Sequence, residues 1–135
     1  MKSKQVLTLE DVKKIAHAAE AEAVANKWAV TISIVDDGGH LLWLQRLDGA
    51  APISSHIAPA KAKTAALGQR ESKVYEDMIN NGRFSFITAP NLEGLLEGGV
   101  PIVVNGEYLG AVGVSGVKSS EDVQIAKAGI AALTA

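Results

Sequence analysis

Apolar and small side chains at Leu9, Val12, Ile15, Ala16, Ala19 and Ala23 recur at helical spacing and predict an amphipathic helix near the N-terminus. Thr8 opens it, with Asp11 three residues on as the acidic half of a cap, and Asn26-Lys27 ends it. Residues 30–35 alternate β-branched and small side chains and predict a strand. Asp36-Asp37-Gly38-Gly39 is turn chemistry, and residues 40–47 return as the partner strand, closed by Asp48-Gly49. A second helix is expected from a Ser54 or Ser55 cap to about Gly68, with Pro59 in its first turn and Ala60, Ala62, Ala65 and Ala66 favouring close packing. Residues 69–81 predict another helix, stopped by Asn81-Gly82. Residues 84–89 show no clear period, and residues 92–97 predict a short strand. Residues 100–104 and 107–115 form a hairpin about Asn105-Gly106, which supplies the two positive-φ positions of a type I′ turn. Gly110, Gly113 and Gly116 thin its second strand, so another backbone or a ligand is expected close by. Pro101 lacks an N–H and belongs at a strand start or an edge. Ser119 or Ser120 caps a last helix, with Glu121 and Asp122 in its first turn and a stripe of Ile125, Ala128 and Ala132.

Strands joined by hairpins predict an antiparallel sheet with helices packed on it, an α+β fold. The 135 residues fit a single domain, 1–135, with a real core. Apolar residues make up 47% and charged ones 21%, which is globular rather than disordered. The formal net charge is −2 and no basic run occurs, so nucleic acid is not the expected partner. Cysteine is absent, which excludes disulfides, thiolate metal sites and a Cys nucleophile. No apolar run reaches membrane-spanning length, and the first residues lack the apolar core of a signal peptide. A cytoplasmic protein without membrane contact is the expectation.

Three stretches carry a family resemblance. GGVPIVVNGEYLGAVGVSG, from Gly98 to Gly116, resembles the signature GG-x-PI-x-x-x-G-x-x-x-G-A-x-G-x-SG of the GlcG/HbpS-like family. This family is also called haem-degrading or DUF336, and it includes the C-terminal domain of PduO-type proteins. IVDDGGHLLWLQRLDGA from Ile34 resembles VVDxGGHLxxxxRxDGA, and Ala58 to Ala65 matches AxxKAxTA. The resemblance covers nearly the whole chain. It implies a profilin-like α/β/α arrangement, with about five antiparallel strands and helices on both faces. It also implies binding of haem or a related tetrapyrrole, haem degradation in some members, and a homo-oligomer. Some members carry an E-x-x-E iron motif, which this sequence lacks.

The histidines are His17, His40 and His56, with no HxH or HExxH spacing for zinc. A haem needs one axial nitrogen, an apolar slot and cations for its propionates. His17 lies on the first helix beside its Ala face, where small neighbours admit a flat macrocycle, and it is the candidate ligand of a haem iron; a partly exposed helix histidine is the alternative. His40 follows the Gly38-Gly39 turn, as a turn-closing residue or a general acid/base. His56 sits in the first turn of the second helix. Arg46 and Lys61, with Lys63, are the candidate anchors for an anionic ligand. Arg46 can instead pair with Asp48, two residues along the same strand. Lys61, set among alanines, has a partly buried stem and directs its amine at a helix C-terminus, a ligand carboxylate or, as a second general acid/base candidate, a substrate. Backbone N–H groups near Gly113, Ser115 and Gly116 can face an anion, although Glu121 and Asp122 compete for that helix end. Ser115 is not a nucleophile elbow, because Val117 stands where Gly-x-Ser-x-Gly needs glycine. Asp36-Asp37 is a turn, and Glu93 and Glu97 share a face only if their segment is helical. Trp43, Phe84 and Phe86 suit a core, a subunit contact or the wall of an apolar pocket.

Three function classes remain open on these residues. One is a binding module for haem or another flat anionic molecule. The second is a small catabolic enzyme or accessory protein acting on a glycolate- or muconate-type acid, with Lys61 or His40 as general acid/base and Arg46 on the carboxylate. The third is a structural oligomer.

Overall fold

The structure is a computed structural model and describes residues 1–134. Helix α1 spans Leu9–Ala25, strands β1 and β2 span Thr31–Asp36 and Leu41–Arg46, and helices α2 and α3 span Ser54–Gly68 and Ser72–Asn80. A 3₁₀ turn, Phe84–Thr88, leads to β3 (Gly99–Val104), β4 (Glu107–Ser115) and α4 (Ser119–Ala131). All strand pairs are antiparallel, in the order β2-β1-β4-β3. The fold is therefore α+β. The sheet has four strands among the described residues, not five, because the segment 92–97 forms no strand.

The two faces of the sheet are covered differently. On one, Ile32, Ile34, Val112, Val114, Val100 and Ile102 pack against Val12, Ile15, Ala16, Ala19 and Ala23 of α1 and Ile125 and Ala126 of α4. On the other, Val35 and Ala111 meet Ala62, Ala65 and Ala66 of α2. This second contact is close because it is made of very small residues. A Cβ added at Gly113 would collide with the carbonyl oxygen of Ala58 and the N–H of Ala62, and one at Gly99 with the carbonyl of Lys61. The neighbour that thins β4 is thus another backbone.

Helix ends differ in detail from the sequence pattern. Thr8 caps α1 as expected, with Asp11 accepting from its N–H at 2.9 Å. Ile53, not a serine, precedes α2; Ser54 Oγ instead meets Thr31 Oγ1 at 2.7 Å, in the buried seam with β1. Pro59 falls in the second turn of α2 rather than the first. Lys118 caps α4, its N–H donating to Glu121 Oε1 at 3.2 Å, and the buried stripe is Asp122, Ile125, Ala126 and Gly129. The 92–97 segment is a cover over α2. Gly94 presses on the backbone of Ala60 and Lys61, and Ser72 Oγ receives the Gly99 N–H at 2.8 Å while donating to the Leu96 carbonyl. Tyr75 of α3 stacks on Phe86 with ring centroids 4.9 Å apart. Among the described residues no helix is long and apolar enough to cross a membrane.

Candidate functional site

The structure separates the candidate residues onto opposite faces of the sheet. Thr31 points at α2 through Ser54, and Arg46 and Ser115 are its register partners on either side, so both belong to the α2 face. Gly113 and Lys61 are on that side too. His17 belongs to α1, on the other side.

On the α2 face the candidate anchor Lys61 is taken up within the protein itself. Lys61 is buried, and its Nζ donates to Asp122 Oδ2 at 3.1 Å and to the Val114 carbonyl at 3.0 Å. The carboxylate that Lys61 seeks is therefore the protein's own. Asp122 also accepts the Val117 N–H through Oδ1 at 3.3 Å. Burial pushes the Asp122 carboxyl up to about 6, against the opposing pull of the Lys61 ammonium. A Cβ at Gly98 would stand 2.6 Å from Lys61 Nζ, so this glycine leaves room for the lysine to pass the end of β4. Gly116 packs on Ala29 and Val30. Asp122 lies across the beginning of α4, where an anion was expected.

His40 is exposed on the β1–β2 turn, with its Nδ1 3.0 Å from Asp36 Oδ1. That oxygen also accepts the N–H groups of Gly38 and His40, each at 2.9 Å. Burial raises the Asp36 pKa, but these two N–H groups and the imidazole outweigh it and leave it lowered. His40 thus has the turn-closing role. Arg46 and His56 are exposed.

His17 has different surroundings. It is exposed on α1 and lines an open recess of about 530 Å³ with Glu10, Lys13, Lys14, Ala18 and Ala132. A second recess of about 260 Å³ shares Lys13 and His17 and is completed by Ala16, Glu20, Trp43 and Gln45. Trp43 Nε1 donates to Gln45 Oε1 at 3.1 Å, and Gln45 Nε2 donates to Glu20 Oε1 at 2.8 Å, which fixes the indole as part of the floor. Lys13 and Lys14 stand four and three residues before His17, spacings that share a helix face. Sequence reasoning missed these two lysines, although that spacing was there to find. Among the described residues no cluster of His, Asp and Glu could hold a bare metal ion.

Comparison with known proteins agrees with this architecture. Residues 7–131 match the model of the family described as "Haem degrading protein HbpS-like". Protein GlcG of Escherichia coli K12 is 55% identical over 115 residues, covering 85% of each chain. The crystal structure of Klebsiella pneumoniae ORFY, a DUF336 protein, superposes with a TM-score of 0.90 at 31% identity, covering 100% of this chain and 97% of that one. The crystal structure of a PduOC–haem complex superposes at 0.86 and 29% identity, covering 95% of each chain. With a family model spanning both helical layers and the whole sheet, and a relative sharing more than half its residues, this chain belongs to the HbpS-like family.

Proposed function

We propose that this protein binds haem or a related tetrapyrrole on the outer face of α1, with His17 as the axial ligand. The observation that carries the proposal is the joint position of His17, Lys13 and Lys14 beside a flat apolar surface. The donor set fits the group. One accessible imidazole suffices for the iron, Lys13 and Lys14 can meet the propionates, and Ala16, Ala18 and Trp43 offer a surface thin or planar enough for a macrocycle. Haem, when bound, supplies a redox-active iron. The chain's own part is to bind and orient it and to shield one side of the ring. The PduOC–haem neighbour supports the ligand class, and the family description supports a role in haem handling, which extends to degradation in this proposal. We place the protein in the cytoplasm, as a homo-oligomer.

The test is titration with haemin, followed at the Soret band. The wild type is expected to give a saturable shift, and His17→Ala to lose it while keeping its circular dichroism spectrum. An identical shift in His17→Ala removes the assignment. Action on a small carboxylic acid has less support, because Lys61 is committed to Asp122, and Arg46 lies on the face opposite His17.

A further inference from the structure

We propose that Glu20 is a specificity-determining residue of the His17 recess: it favours tetrapyrroles that carry their carboxylates on one edge over those that carry them around the whole ring. This inference rests on the tetrapyrrole reading above and adds a direction to it.

The recess is charged differently at its two ends. Lys13, His17 and Glu20 follow one another at spacings of four and three residues, so they form one stripe along α1. Lys13 and Glu20 are about 10 Å apart along the helix axis, with His17 between them. Glu10 shares the lysine end, but one carboxylate against the two ammonium groups of Lys13 and Lys14 leaves that end positive. At the other end Glu20 belongs to no ion pair among the described residues, and the last turn of α1 has no basic residue. The adjoining recess beyond it contributes one cation and one anion, Lys27 and Asp48, which offset each other.

A hydrogen-bond chain with a single possible direction holds Glu20 in place. Trp43 and Gln45 pair with Ile34 and Ile32 in register, so they project on the α1 side of the sheet. An indole N–H can only donate, so Gln45 turns its oxygen to Trp43 and its amide nitrogen to Glu20. The chain therefore ends on an acceptor, which a carboxylate supplies and a lysine or arginine cannot. Among the described residues only Oε1 of Glu20 accepts, and no cation neutralises the charge at this wall of the recess. A ligand carboxylate arriving here meets a like charge, whereas one arriving at the other end meets two cations. A ring with both acids on one edge suits both ends; a ring with acids on opposite edges does not.

The test compares two ferric porphyrins that share the iron and the macrocycle. Haemin carries two propionates on one edge, and iron(III) coproporphyrin carries four, on both edges. Each is titrated at the Soret band into the wild type, Glu20→Gln and Glu20→Lys, with circular dichroism as the check on folding. The wild type is expected to favour haemin, and its preference is expected to fall with added salt, because screening relieves the repulsion. Glu20→Gln, which keeps an oxygen to accept from Gln45, is expected to narrow the ratio of affinities by roughly 1.4-fold to fivefold, as one exposed charge contact does. Glu20→Lys is expected to narrow it further. A wild type that binds iron coproporphyrin as tightly as haemin, a preference that grows with salt, or one ratio shared by all three proteins overturns the role of Glu20 and leaves the tetrapyrrole site standing. The salt dependence of the wild type decides the matter even where a variant does not fold. A wild type with no Soret shift for either porphyrin overturns the tetrapyrrole reading itself, and the selection with it.

Discussion

Lys61 Nζ lies 3.1 Å from Asp122 Oδ2, and this contact ties the helix on one face of the sheet to the helix on the other. The lysine runs from α2 past the end of β4, touching the Val114 carbonyl on the way. Both partners are almost fully buried, at 4% and 2% exposure, so removing one leaves a charge without compensation. Lys61→Met or Asp122→Leu alone is expected to destabilise the protein by about 3–5 kcal/mol. The double variant Lys61→Met/Asp122→Leu is expected to recover most of that loss. Urea unfolding of the four proteins measures the coupling; additive losses would show that the two groups act independently.

The pH dependence has a defined sign. The folded-state pKa of Asp122 is raised to about 6 from 3.8. Between those values the folded protein holds a proton that the unfolded chain has released. The Asp122 contribution is therefore fully present below the lower value and is lost as pH rises through the upper one. In urea unfolding, the stability of the wild type relative to Asp122→Asn is expected to increase as pH falls from 7 to 4. A difference that is flat or falls toward acid would show that the carboxyl is not raised.

Much of the fold can be read locally. Helix α1 is written in its apolar period and Thr8 cap, and both hairpins are written in their turns, Asn105-Gly106 and Asp36 to Gly39. The strand order is not local, because it is set by β1 meeting β4, residues 111 and 35 becoming neighbours across the sheet. The expected strand at 92–97 fails because Gly94 is needed as a contact on the α2 backbone, a constraint from a distant element. Lys61 could be read as needing a counter-charge. Its partner could not be read, since Asp122 looks in sequence like an ordinary acid in the first turn of a helix. The thin β4 strand was legible as a close approach, but glycine alone does not say whether a ligand or a helix approaches.

The glycines themselves separate these cases. At Gly113 an added Cβ meets the fixed backbone of α2, and nothing flexible can yield. At Gly106 nothing lies within 4 Å, and only the positive φ of 78° resists substitution. Gly113→Ala is expected to cost about 3 kcal/mol or more, through displacement of α2. Gly106→Ala is expected to cost about 1 kcal/mol. Thermal or urea unfolding of both variants makes the comparison, and equal losses would contradict the close contact between α2 and β4.

Lys13 and Lys14 make the sharpest claim about the proposed ligand, because they act on its carboxylates and not on its iron. They are exposed, so each pairing with a propionate is worth only about 0.2–1 kcal/mol. Lys13→Gln/Lys14→Gln is therefore expected to weaken haemin binding by roughly twofold to thirtyfold. The loss should shrink with added salt, since exposed pairs are screened over about 10 Å at 0.1 M. Haemin dimethyl ester, which lacks the two charges, should bind the wild type and the double variant alike. A double variant that discriminates against the ester as strongly as it does against haemin would mean that the lysines shape the recess rather than neutralise the ligand. Unchanged haemin binding would move the propionates away from this end of α1, while leaving His17 to be judged by its own substitution.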